Sequence, residues 1–257
     1  PPVQNSFDVV IVDEASQAEP SSLFLLWLAP RVIVVGDDRQ CAPNLVPQES
    51  EERVLARLDS YLTDLPIHVR NNFGPGSSLF SLLRSRYAQR VRLREHFRSM
   101  PEIIEWSSTQ FYRDTPLVPV RQFGADRLKP LRSTFVSDAA TAGTGTTLVN
   151  EAEAHALVDA LCACVADQDY EGLTFGVVVL QSQAHAEFIR ARLAERIPAE
   201  QREELRLRVG TPADFQGDER DVVFVSMVVA ATSVTNALTS ARWQRSFNVA
   251  ASRARDQ

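Results

Sequence analysis

Asp13 and Glu14 are adjacent carboxylates at the end of an apolar, β-branched segment that begins at Phe7. A strand that delivers acidic residues at its carboxyl end is typical of nucleotide hydrolases, because ligands of open parallel sheets bind beyond that end. One carboxylate of such a pair can hold Mg²⁺, and the other can act as a base toward water. The same pair could instead cap the next helix, and the motif alone leaves both interpretations open.

A second apolar segment ends in the same way. Residues 31–35 read RVIVV, and the polar sequence GDDRQ follows at 36–40. Because parallel strands of one sheet end at the same edge, two polar strand ends favour a shared site. A metal-dependent nuclease is one alternative for that site, with a two-metal cluster made of Asp13, Glu14, Asp37 and Asp38.

The composition argues against a protein that binds nucleic acid through bulk positive charge. The 257 residues carry a net charge of -6, with 27 basic and 33 acidic residues. Any binding of nucleic acid must therefore use a local basic surface. The sequence offers one basic stripe, although a solvated charged face would have the same pattern. Its arginines are Arg84, Arg86, Arg90, Arg92, Arg94 and Arg98.

Cysteine usage and hydropathy predict a cytoplasmic protein with no membrane partner. Cys41, Cys162 and Cys164 are too few for a disulfide framework, and their spacing lacks the second ligand pair of a zinc site. No segment approaches the roughly 18 to 20 apolar residues of a membrane span. The first residues do not have the charged and then apolar pattern of a secretion signal.

Apolar strand patterns alternate with helical patterns along the chain, which predicts a parallel α/β architecture. We expect Asn150 to cap a helix, with Glu153 completing a capping box. The expected strands cover residues 7–12, 31–35, 91–93, 175–180, 205–209 and 222–229, with one more near Phe135. The expected helices cover residues 21–28, 101–111, 150–165 and 183–193, with a last helix from Phe247.

Five motifs follow one another in an order that resembles superfamily 1 helicases. They are DEASQ at 13–17, GDDRQCAP at 36–43, LREHFRSMPEII at 93–104, VGTPADFQGDERDVVFVSMV at 209–228 and FNVAASRARDQ at 247–257.

The resemblance covers nearly the whole chain and is closest to the branch with a DEAxQ motif, which includes 5'-to-3' translocases on DNA or RNA. It implies two RecA-like P-loop NTPase domains with parallel sheets, which clasp ATP while single-stranded DNA or RNA crosses both. Residues 1–88 would be the C-terminal part of an incomplete first domain, and residues 89–257 would be the second domain.

The resemblance also implies roles for four residues of the first domain. Asp13 looks like the carboxylate that holds Mg²⁺ through water, and Glu14 looks like the general base that orients the attacking water. Gln17 and Gln40 look like sensors that hydrogen-bond the γ-phosphate region.

In the second domain, Arg98 is similar to the arginine that approaches the γ-phosphate. Gln216, Gly217 and Glu219 match a motif in which the glycine permits close backbone approach and the glutamate contacts the ribose. Arg253 aligns with the arginine finger of the family. Guanidinium groups suit these positions because they stay charged and grip two phosphate oxygens at once.

Simpler interpretations exist for the same residues. The two arginines could be surface residues paired with Glu95 and Asp256. The glycine at 217 could serve only as a turn before the following strand. His185 stands where the family often carries a Pro-Tyr-Arg-like segment; it could contact a phosphate or simply begin a polar helix.

A phosphate-gripping GxxxxGK[ST] loop is absent from the 257 residues. The TAGTGTT sequence at 141–147 lacks the lysine, and Lys129 has no glycine loop around it. We therefore expect these residues to be an excerpt of a longer ATP-dependent helicase whose loop lies upstream, and we expect the excerpt alone to be inactive. A non-catalytic RecA-like binding module is the remaining alternative.

Overall fold

The computed structural model describes residues 3–40, 48–74, 76–230 and 240–257. Cys41 and the end of the GDDRQCAP motif lie outside the described residues. The chain divides into two compact units, Pro1–Arg92 and Leu93–Gln257. Their interpretation as the first and second RecA-like domains of a helicase stays a prediction.

The first unit contains a parallel pair of strands, β1 (Val9–Val12) and β2 (Arg31–Val34). Both are rich in β-branched residues, whose restricted side chains favour extended backbone. The connection between them is a 3₁₀ helix over Pro20–Trp27, which begins with a proline and replaces the helix expected at 21–28. Both predicted strands are thus present, although β1 begins two residues later than expected and β2 ends one residue earlier.

Three α-helices follow β2 in the described part of this unit. The last of them begins with a capping box, because the Ser78 hydroxyl accepts from the backbone N–H of Ser81 while the Ser81 hydroxyl donates to the Ser78 carbonyl and accepts from the Ser78 N–H. The helices are α1 (Gln48–Tyr61), α2 (Ile67–Arg70) and α3 (Leu79–Arg86), with a 3₁₀ turn over Asn71–Phe73.

The second unit is built on a parallel sheet of three strands in the order β6-β5-β7. The central strand β5 (Phe175–Val179) is buried along its whole length, as the continuous apolar run of a parallel strand predicts. Its neighbours are β6 (Arg208–Gly210) and β7 (Val222–Ser226). The fold is therefore α/β with parallel sheets, as the sequence predicted.

Two long helices cover this sheet. They are α5 (Glu151–Ala166) and α6 (Gln183–Arg196), and their inward residues form one core with the strands. The fully buried side chains of this core include Leu161, Phe175, Val177, Val179, Ile189 and Leu193.

The start of α5 differs from the predicted capping box. Asn150 does cap the helix, since its side chain accepts from the N–H of Glu153 at 3.1 Å. The Glu153 carboxylate, however, accepts from the Ser226 hydroxyl at 3.0 Å and from the Met227 N–H at 2.9 Å. The glutamate therefore connects the helix start to the end of β7 instead of closing the helix.

Two expected strands are wrong. Residues 91–93 form no strand; the paired strands there are β3 (Glu95–His96) and β4 (Val118–Pro119). Val91 and Leu93 are 91% and 84% exposed. The segment around Phe135 has no strand either.

Backbone conformation explains the other two strand boundaries. Arg206 has a φ of 47°, which turns the chain after helix α7 (Ala199–Glu204) and delays β6 to Arg208. Val228 has a φ of 60°, which ends extended structure before the predicted residue 229.

The helix at 101–111 has the predicted bounds, α4 (Pro101–Phe111), with proline in its first turn. The last helix, α8 (Ala241–Ala251), begins earlier than the predicted Phe247 because Ser240 caps its first turn. None of the helices in the described residues is long and apolar enough to span a membrane.

Candidate functional site

The acidic ends of β1 and β2 lie at the same edge of the first sheet. Backbone hydrogen bonding between the two chain segments continues past the ends of β1 and β2, because the Ala15 N–H donates to the Val35 carbonyl at 2.9 Å. Asp13 and Glu14 are therefore held level with the GDD segment at 36–38. The shared edge expected from the sequence is formed by backbone hydrogen bonds.

Glu14 has an unusual backbone conformation, with a φ of 49°. Its N–H donates to Asp13 Oδ1 at 2.8 Å, and its carbonyl accepts from the Gln17 N–H at 2.9 Å. A non-glycine residue in the left-handed region is uncommon, and such strain clusters at functional sites. The N-cap position of the next helix is Glu19, so the acidic pair does not occupy it.

Gly36 permits the close approach of this edge to the helix behind it. A Cβ at position 36 would lie 2.8 Å from the Phe80 ring and 3.1 Å from the Ser16 nitrogen. A side chain larger than hydrogen therefore does not fit between β2 and α3 without displacing one of them.

The other polar residues of the edge are bonded to one another. Gln40 donates from Nε2 to Asp37 Oδ2 at 2.8 Å, and the Arg39 N–H donates to Asp37 Oδ1 at 2.9 Å. Asp38 forms an ion pair with Arg84. Gln17, the other expected sensor, is exposed.

The geometry of the described acidic residues bears on the two-metal cluster of the nuclease alternative. Within residues 3–40, 48–74, 76–230 and 240–257, no three His, Cys, Asp or Glu side chains lie close enough together to hold a metal ion. The four acidic residues of the edge therefore do not form that cluster. Mg²⁺ bound to a nucleotide needs only one or two protein carboxylates, with water and phosphate completing its octahedron. The exposed Asp13 carboxylate fits that kind of ligand set.

Glu219 lies at the centre of an arginine cluster in the second unit. Its Oε2 forms an ion pair with Arg98, and its Oε1 accepts from Arg255 Nε at 2.9 Å. Arg255 also donates to Asp221 Oδ1 at 3.3 Å. Burial raises the pKa of Glu219, but the hydrogen bonds from Arg255 and Arg98 outweigh it and leave that pKa below its ordinary value. We call these four residues the Glu219 cluster.

Arg253 is buried beside this cluster, with only 2% of its surface exposed. Its Nε donates to the Val249 carbonyl at 3.0 Å, and its Nη1 lies 3.4 Å from the carbonyls of Phe215 and Asp218. These contacts attach the end of α8 to the turn that precedes β7. The predicted arginine finger thus lies inside the unit in this conformation.

Both surface ion pairs suggested by the sequence are wrong. Arg98 bonds to Glu219 and not to the neighbouring Glu95. Asp256 bonds to Arg121 at 2.6 Å. Arg98 and Asp256 instead pair with residues that are distant in the sequence.

The turn before β7 contains Gln216 and Gly217. Gly217 has a φ of 75°, in the region that glycine adopts without steric cost, and Gln216 is half-buried. Gly217 therefore lies in a turn before β7, as the simpler interpretation expected. Roles of both residues toward a nucleotide stay predictions.

His96 belongs to the same region, although the sequence did not single it out. Its Nε2 accepts from the Ser99 N–H at 3.0 Å, which requires a neutral imidazole. Burial, followed by the charges of Arg98 and Arg253, lowers the pKa of His96 to about 4. The sequence EHFR could have identified His96, because it places this histidine two residues before Arg98.

The suggestion that His185 contacts a phosphate is wrong, because this residue is completely buried. Its Nδ1 accepts from the Asn150 N–H at 3.2 Å, and its Nε2 lies 3.0 Å from the Ser226 hydroxyl. Burial lowers the pKa of His185 to about 4. It holds the start of α6 against α5 and β7.

A comparison with known protein families found a match that covers most of the chain. A family model described as an AAA domain matches residues 76–257, about seven tenths of the chain. The chain belongs to the AAA domain family. Membership of this family indicates a nucleotide-binding domain of the NTPase type that is similar to helicase domains. Among curated proteins, none matches the sequence.

The match includes the whole second unit of this AAA domain, with Arg98, Glu219 and Arg253. It begins downstream of Asp13 and Glu14. The family assignment therefore rests on the unit that contains the Glu219 cluster.

Proposed function

We propose that this AAA domain is part of an ATP-dependent helicase or translocase that moves along single-stranded DNA or RNA. The observation that carries the proposal is the Glu219 cluster. It joins Arg98, Glu219 and Arg255, one residue from each of three motifs. Arg98 and Glu219 are 121 residues apart in the sequence, and Glu219 and Arg255 are 36 residues apart.

The charge of the cluster suits a phosphate ligand. Arg98 and Arg255 bring two guanidinium groups to the single carboxylate of Glu219, although Arg255 also contacts Asp221. A guanidinium group stays charged and binds phosphate oxygens in a planar fork. A γ-phosphate that competes with Glu219 for Arg98 would couple nucleotide binding to a rearrangement of the cluster.

The strand end of the first unit offers the acidic groups that phosphoryl transfer uses. Asp13 would hold Mg²⁺, which neutralises phosphate charge when it is bound. Glu14 would accept a proton from the attacking water and orient it. Its backbone is in the left-handed region, with a φ of 49°, a kind of strain that clusters at functional sites.

Nucleic-acid-stimulated ATP hydrolysis tests the proposal. We expect the intact parent protein to hydrolyse ATP faster when single-stranded DNA or RNA is added. We expect residues 1–257 alone to show no meaningful turnover, because they lack the glycine loop and lysine that grip the phosphates. A parent protein that binds no ATP would instead favour a non-catalytic binding module.

A further inference from the structure

Arg121 follows β4 in the second unit and bonds to two chain segments at once. Its Nη1 donates to the Arg98 carbonyl at 3.0 Å, and its Nη2 donates to Asp256 Oδ1 at 2.6 Å. The side chains of Arg121 and Asp256 are only 24% and 17% exposed, so this ion pair is largely shielded from water. One guanidinium group therefore joins the main chain at Arg98 to the segment that carries Arg255.

The main chain is also held on both sides of Arg98. Before it, the His96 carbonyl accepts from the Val120 N–H at 3.0 Å. After it, the Met100 N–H donates to the Arg255 carbonyl at 2.9 Å. The bond to the carbonyl of residue 98 completes three points of attachment within five residues of the chain, and it is the one of the three that a side chain supplies.

The guanidinium group of Arg98 has a separate set of partners. It pairs with Glu219, and its Nη1 approaches the Ser252 carbonyl at 3.4 Å. A γ-phosphate that competes with Glu219 would draw this guanidinium group away but would leave the carbonyl of the same residue bonded to Arg121. The bond from Arg121 is therefore compatible with either partner of the guanidinium group, and it gives the moving side chain a fixed base.

We infer that Arg121 is a positioning residue for the phosphate contact of Arg98, with Asp256 holding Arg121 in place. The inference rests on the proposed function and adds to it a residue that acts through the main chain of Arg98. Groups that stabilise a transition state need placement within about 0.5 Å, and a misplacement of about 1 Å can cost about 100-fold in rate. An arginine suits this position because its planar fork reaches two acceptors through separate nitrogens, whereas a lysine has one nitrogen.

Steady-state ATP hydrolysis by the intact parent protein tests the inference. Arg121→Ala should lower kcat at least about tenfold and leave the KM for ATP within about twofold, because it misplaces a group that acts on the transferring phosphate. In the double variant with Arg98→Ala, kcat should be no lower than with Arg98→Ala alone, since Arg121 acts through Arg98. Arg127→Ala is the matched control and should leave kcat unchanged, because it removes another arginine after β4 that pairs with Glu102.

Arg121→Lys keeps the test decisive if the alanine variant fails to fold. The lysine retains a positive charge beside Asp256, but its single nitrogen does not reproduce the two contacts of the fork. We expect this variant to fold and to have a kcat at least about threefold below that of the unmodified protein, with little change in KM.

The possible results separate the positioning role from the proposed function. A normal kcat in every folded Arg121 variant, combined with a strongly reduced kcat in Arg98→Ala, would overturn the positioning role alone. A loss in Arg121→Ala that adds fully to the loss in Arg98→Ala would overturn it too, because that result indicates a general effect on the fold. A normal kcat in Arg98→Ala would contradict the phosphate contact itself, and the positioning role would fall with it.

Discussion

Arg98 forms an ion pair with Glu219, a residue 121 positions later in the sequence. The pair connects the loop before α4 to the turn before β7, and Arg98 also approaches the Ser252 carbonyl at 3.4 Å. Three motifs that the sequence shows only as an order along the chain thus meet at one carboxylate. In the proposed function, a phosphate would compete with Glu219 for Arg98.

Replacing Glu219 with glutamine should destabilise the second unit. The two guanidinium groups of Arg98 and Arg255 would lose a partly buried, charge-assisted partner, so we expect a loss of about 1–3 kcal/mol in the free energy of unfolding. Urea denaturation measures it. The matched control is Glu195→Gln, because Glu195 pairs with Arg192 at the surface and should change stability by less than about 0.5 kcal/mol. Equal effects of the two variants would contradict the role of the cluster.

Arg98→Ala should slow ATP hydrolysis by the intact parent protein by at least about 100-fold, because arginines that stabilise the transferring phosphoryl group contribute this much or more. We expect kcat to fall more than KM rises. Steady-state kinetics separates the two. Arg127→Ala removes a comparable arginine, one that pairs with Glu102 outside the cluster, and should leave kcat unchanged. A normal kcat in the Arg98 variant would refute the phosphate contact.

The stability of the second unit should fall between pH about 6.5 and pH about 4. His185 has a folded-state pKa near 4, so in this window the unfolded chain binds a proton that the folded chain does not. The free energy of unfolding therefore decreases on acidification, by about 1.4 kcal/mol per pH unit for this group. Denaturation at several pH values measures the slope.

His185→Gln removes the titrating group and provides the comparison. Burial raises the pKa of Glu153, which acts in the opposite direction, so the contribution of the histidine is the difference in slope between the two proteins. Parallel slopes would show that His185 does not titrate as its burial requires.

Gly36→Ala should destabilise the first unit. The added Cβ would lie 2.8 Å from the Phe80 ring and 3.1 Å from the Ser16 nitrogen, and overpacking of this kind costs about 1–3 kcal/mol. Limited proteolysis of the first unit reports the loss. Gly124→Ala is the control, because the nearest atom to its new Cβ is 4.0 Å away. Unchanged resistance in the Gly36 variant would show that the packing tolerates a methyl group.

Local signals in the sequence were sufficient to predict several helices and strands. The proline at 101 fixed the start of α4, Asn150 capped α5, and the apolar run from Phe175 predicted the buried central strand. Each of these features depends on residues within one turn or one strand. The shared edge of β1 and β2 was also predictable, because parallel strands end together.

Contacts between distant segments were not predictable. Glu153 is three residues after a helix cap, yet the end of β7 attracts its carboxylate, so the tertiary contact overrides the local one. Polar His185 is buried because α5 and β7 supply its partners. Val228, just after β7, has a backbone conformation that a valine rarely adopts, and the strand propensity of valine predicts the opposite.

The most direct test of the proposed function is the separation of ATP binding from ATP hydrolysis in the Glu14→Gln variant of the intact parent protein. We predict that this variant binds ATP as tightly as the unmodified protein but loses hydrolysis, because glutamine cannot accept a proton from water. Glu19→Gln, at an exposed acid of the same unit, should retain both. Retained hydrolysis in the Glu14→Gln variant would contradict the account.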